Sequence, residues 1–167
     1  MFGPFPSELD LLQNLLTLAL NVNHIVGTFG SEIGMLKKLN RLSLAGNYLW
    51  GKIPVEVARM ANLRGLVLNG NRLTGSIPEK FWTTHHIQNH LSVLSLESNS
   101  LTGTIPSHVG QMVSLQKLLL GFNELTGSIP SQIGLLTNLS ILDLRPNRFD
   151  GGLPAEISML TNTEVKY

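Results

Sequence analysis

The chain has 167 residues, 32 of them leucine, with only 14% charged and a formal net charge of +1. A composition this apolar excludes a disordered tail, and the small net charge gives no general pull toward nucleic acid, an anionic membrane or an acidic substrate. With no cysteine, disulfides, zinc–cysteine sites and thiol catalysis are excluded as well.

The first apolar stretch is Leu11 to Leu20. Gln13, Asn14 and Thr17 interrupt it, and it falls well short of the ~20 residues that a membrane span needs. It follows Glu8 rather than a basic stretch, so it does not read as a secretory signal either.

From there a repeat takes over. Asparagines that follow a Leu-x-Leu pair stand at Asn23, Asn47, Asn71, Asn99, Asn123 and Asn147, spaced by 24, 24, 28, 24 and 24 residues. Each is followed four residues later by glycine, from Gly27 to Gly151. Two residues on comes Phe29, Ile53, Ile77, Ile105, Ile129 or Leu153, and a proline follows all but the first. Self-similarity at this period marks a repeat architecture, in which one unit cannot bury its leucines alone but stacked units can.

Each unit has the same local logic. In Leu39-x-x-Leu42-x-Leu44 the last two leucines alternate with one outward residue, the period of a short strand. Glycine and proline then break the strand, and later apolar positions such as Val57 and Met60, or Val109 and Met112, suit a helical turn that closes the coil. An asparagine amide has two donor hydrogens and an acceptor oxygen, so the six asparagines are expected to form an internal ladder to turn backbone. Their role is structural rather than catalytic.

The domain boundaries follow. A partial repeat covers 1–14, opening on Gly3-Pro4-Phe5-Pro6. Six repeats of about 24 residues cover 15–162, with a four-residue insertion within 82–90, and an atypical tail covers 163–167. Thr163 stands in that tail where leucine belongs. The mid-repeat start and cut-short end read as a piece of a longer chain.

No enzyme is legible. His85, His86 and His90 cluster in the insertion, but two are adjacent and no carboxylate lies among them, so the expected state is a solvated convex bulge without metal. Within it, Ile87 should take the slot that Leu36 or Leu136 fills elsewhere. Glu97 and Asp143 would face the same sheet two coils apart, no serine sits in Gly-x-Ser-x-Gly, and no phosphate loop is present. No cofactor is expected. One glycosylation sequon occurs, Asn138-Leu139-Ser140.

What remains is the outward face of the strands. Val93, Leu119, Phe122 and Ile141 are apolar where a solvated sheet face prefers polar residues, with Glu97, Lys117, Asp143 and Arg145 around them as a charged rim. With Arg41, Val67 and Ser95 they form the expected protein-binding face.

The unit Leu-x-x-Leu-x-Leu-x-x-Asn-x-Leu-x-Gly-x-Ile-Pro resembles the plant-type leucine-rich repeat, and Gly-Ser-Ile-Pro at 75–78 and 127–130 matches its convex-side motif. The resemblance implies an α/β repeat: a right-handed solenoid with a concave parallel sheet and a convex side of short strands and 3₁₀ turns. It further implies the ectodomain of a receptor-like kinase or receptor-like protein at the cell surface. Such a module binds a protein or peptide on its concave face in signalling, alongside a co-receptor-like partner. It would not bind nucleic acid, and this segment would not itself enter a membrane. Two other readings are a secreted inhibitor of a cell-wall hydrolase, resembling polygalacturonase inhibitors, and a structural segment of a larger cytoplasmic protein. Fold alone does not choose among these.

Overall fold

The computed structural model describes residues 2–4, 8, 11–28 and 30–167. Phe5 and Pro6 of the partial opening repeat, and Phe29, lie outside the described residues. Coils are numbered one to six by their asparagines, Asn23 to Asn147.

Each coil contributes a three-residue strand to one parallel sheet: β2 (Thr17–Ala19), β4 (Arg41–Ser43), β6 (Gly65–Val67), β8 (Val93–Ser95), β10 (Lys117–Leu119) and β11 (Ile141–Asp143). A seventh strand, β12 (Glu164–Lys166), pairs with β11. The central residues Leu18, Leu42, Leu66, Leu94, Leu118 and Leu142 lie in register and stack inward. They form one continuous core with Leu44, Leu68, Leu96, Leu120 and Leu144.

Beyond the asparagine turn a second parallel sheet forms from β1 (Phe2–Pro4), β3 (His24–Gly27), β5 (Tyr48–Gly51), β7 (Arg72–Ser76) and β9 (Ser100–Thr102). The glycine that ends this segment has positive φ in all six coils, between 72° and 99°. A Cβ on Gly127 would stand 2.9 Å from Thr104 Cγ2, so both backbone conformation and space call for glycine there. Proline follows with φ near its fixed value, −64° at Pro54 and −70° at Pro130, and a 3₁₀ turn begins behind it. Val57, Val109 and Ile133 each bond the carbonyl three residues back.

The fold is thus a leucine-rich repeat stack of parallel strands and short 3₁₀ turns. The insertion departs from it. Instead of a solvated bulge it forms two short helices, α1 (Glu79–Thr83) and α2 (His85–His90). Phe81, Trp82, Ile87 and Gln88 are buried, and the Phe81 and Trp82 rings meet edge to face at 5.9 Å. Leu91 bonds Ile87, four residues back, where Leu115 bonds Met112, three back. The extra residues convert a 3₁₀ closure into an α-helical one, and Ile87 fills the core position.

Candidate functional site

The turn beneath the sheet is held by the asparagines. Asn71 Nδ2 donates to Leu44 O of the preceding coil and Leu68 O of its own, both at 3.0 Å, while its Oδ1 accepts from Leu49 N–H at 3.0 Å. Asn47, Asn99, Asn123 and Asn147 make the same three kinds of bond. Asn23 donates to Leu20 O and Asn21 O. These amides are engaged with backbone, so the surface chemistry lies elsewhere.

On the concave face, register sets which side chains meet. Lys117 stands between Val93 and Ile141, and Leu119 between Ser95 and Asp143. Lys117 therefore divides the apolar residues rather than rimming them. Ser95 is a correction to the outward frame: it is 5% exposed, with Oγ 2.9 Å from Glu97 Oε2 and 3.2 Å from Asn69 Oδ1. On this face a small side chain disappears between longer neighbours. Arg145 folds back on Asp143, Nη2 to Oδ2 at 3.2 Å and Nε to Oδ1 at 3.3 Å. Glu97 is half-buried. Loss of water pushes its pKa above the 4.5 of a free glutamate, hydrogen bonds from backbone and Ser95 pull it down, and the like charge of Asp143 pushes it up.

Arg41 and Val67 lie toward the other end of the patch. They line a shallow hollow of about 250 Å³ with Asn40, Arg64, Gly65, Ser92 and Val93. Gly65 pairs with Arg41 on one side and Val93 on the other, so the missing side chain forms the floor. Neither Gly65 nor Arg64 stands among the residues that the sequence marks out on this face.

Phe122 closes the coil-five strand and is 56% exposed. Its φ is +56°, the left-handed region, which Val22, Gly46, Gly70 and Ser98 also occupy at the equivalent positions, so the turn that closes the strand imposes it. A bulky aromatic residue is less at ease there than glycine.

Elsewhere the three histidines of the insertion have protein partners. His86 Nε2 lies 2.8 Å from Ala58 O, His90 Nδ1 3.3 Å from Ala61 O, and His85 Nε2 2.8 Å from Asn89 Nδ2. Among the described residues no group of three His, Cys, Asp or Glu is placed to hold a metal, and no helix is long and apolar enough to cross a membrane. Asn138 is exposed, its Nδ2 donating to Val113 O at 2.8 Å.

The leucine-rich repeat family model matches residues 62–83, 90–112 and 114–136. The chain is a leucine-rich repeat protein of the plant type. It is similar to the plant peptide hormone receptor RGFR1, solved with RGF2, at 36% identity and a TM-score of 0.87, covering 98% of this chain and 25% of that one. The Arabidopsis receptor kinase HAESA, solved with the peptide hormone IDA and the co-receptor SERK1, is 32% identical with a TM-score of 0.90 over 98% of this chain and 26% of that one. A plant ice-binding protein is 29% identical with a TM-score of 0.87, covering 99% of this chain and 53% of that one. The chain spans about a quarter of the length of the receptor structures it matches. No curated protein matches.

Proposed function

We propose that the concave sheet recognises an extended peptide or protein segment along coils three to six. The chain would act as a non-enzymatic binding module of an extracellular receptor-like protein that signals with a co-receptor-like partner. The observation that carries this reading is Phe122, an exposed aromatic ring fixed at the edge of the concave sheet by the left-handed turn that closes the coil-five strand. An aromatic side chain in such a place offers a rigid apolar anchor, the residue type that dominates binding energy at interfaces. The hollow floored by Gly65 offers a second anchor, with Arg41 and Arg64 for an acidic group and Val67 and Val93 for an apolar one. The receptors that resemble this chain were solved with peptide hormones, which favours the peptide class.

Panning a displayed random-peptide library against the chain tests this. Enriched peptides should lose at least ~1 kcal/mol of binding on Phe122→Ala and nothing on Glu56→Ala, which lies on the convex side. Peptides that ignore Phe122→Ala but are lost with Glu56→Ala would move the site to the convex face.

A further inference from the structure

The net charge of +1 conceals an uneven distribution. Residues 31–80 contain eight of the twelve Lys and Arg but only three of the eleven Asp and Glu, a local formal charge of +5. After residue 80, three of the four remaining cations are in ion pairs: Arg145 with Asp143, Arg148 with Glu124, and Lys166 with Glu164. Among the described residues, none of the eight in 31–80 has a carboxylate partner. Among the described residues their field is only partly offset.

Three of them converge on the convex side. Lys37 of coil one, Arg59 of coil two and Lys80 of coil three line one open groove of about 470 Å³. Thr84 and His86 from the insertion, with Val55, Ala58 and Ala61, complete it, and no carboxylate is among the described residues that line it. The insertion sets this wall: α1 carries Lys80, Thr84 Oγ1 bonds Lys80 O at 2.5 Å, and His86 is seated against coil two through Ala58 O. A carbonyl only accepts, so His86 Nε2 is the donor in that bond.

We propose that this groove is an oxyanion-binding site that takes the phosphate group of a monoester. Three cations from three coils suit a dianion better than a single carboxylate, and the Arg59 fork is the usual partner of such groups. The groove is larger than a bare ion fills. Its Val55, Ala58 and Ala61 wall gives the carrier of the group an apolar surface to rest on. This site is separate from the concave face and does not depend on what binds there.

Isothermal titration calorimetry of the chain with phenyl phosphate, inorganic phosphate, inorganic sulfate and acetate tests it. One-to-one binding of phenyl phosphate is expected, with acetate weaker by about tenfold or more. Arg59→Ala and Lys80→Ala, both at exposed positions, should each weaken phenyl phosphate by about tenfold. Arg72→Ala, on the second sheet, should leave it unchanged, and the His86 ring resonances should shift on titration while those of His108 stay still. Phenyl phosphate binding at least as tightly as inorganic phosphate assigns an esterified group; a preference for the inorganic ions assigns a free ion at the same site. Absence of binding by all four, acetate matching the dianions, or an equal loss from Arg72→Ala would overturn the site.

Discussion

Asn99 Oδ1 accepts a hydrogen bond from the backbone N–H of Leu73, in the preceding coil, at 2.9 Å. Asn99 Nδ2 also reaches Leu68 O in that coil, at 3.1 Å. One side chain thereby satisfies turn backbone on both sides of the coil junction. Asn99→Ala leaves the Leu73 N–H without a partner, although Leu68 O keeps its bond from Asn71 Nδ2, and should destabilise by about 1–3 kcal/mol. Asn89→Ala, which removes only the contact to His85, should be nearly neutral. Denaturant melts of the two variants check the difference, and equal effects would refute the ladder.

Leu118 is fully buried between Leu94 and Leu142. Leu118→Ala should cost about 2–5 kcal/mol, because coils packed on both sides cannot collapse into the space. A loss below about half a kcal/mol would place that strand outside the core.

Phe122 carries an opposite expectation for stability and for binding. Phe122→Gly relieves the left-handed strain at that position and should leave stability unchanged or raise it by up to about 1 kcal/mol. The same variant should weaken peptides selected on the concave face. A variant that is destabilised by more than about 1 kcal/mol would show that the ring serves the fold.

Glu97 supplies a pH test. Its folded pKa is raised, so the native state holds the proton more tightly than the unfolded chain. Its favourable contribution is present below the 4.5 of free glutamate and is lost as pH rises through the folded value. Glu97→Gln removes that term, so the variant should gain on the parent chain as pH rises above 4.5. Parallel stability curves for the two proteins across that range would contradict the burial of this carboxyl.

The architecture was legible because it is repeated six times: Leu-x-x-Leu-x-Leu and the glycine–proline spacing name strand, turn and closure in every coil. What escaped was whatever depends on neighbours in other coils. Ser95 holds an outward position of its strand, yet Asn69 and Glu97 reach over it. Gly65 forms a hollow only because Arg41 and Val93 flank it across the sheet. The insertion looked like a loop since four extra residues carry no helical period of their own, and its two helices depend on burying Phe81, Trp82 and Ile87. The convex cations vanished into an almost neutral total.

The pairing of each strand only with its immediate neighbours also sets the reach of a ligand. The Gly65 strand and the Lys117 strand, which Phe122 closes, are joined in the sheet through β8. Two strand spacings separate them, roughly 10 Å at about 4.8 Å each, which an extended chain crosses in about three residues. A peptide shorter than that can hold only one anchor and clasps one or two coils. One long enough to touch both the Gly65 hollow and the Phe122 ring straps the intervening coils together and adds to the stack a connection that its own backbone does not make.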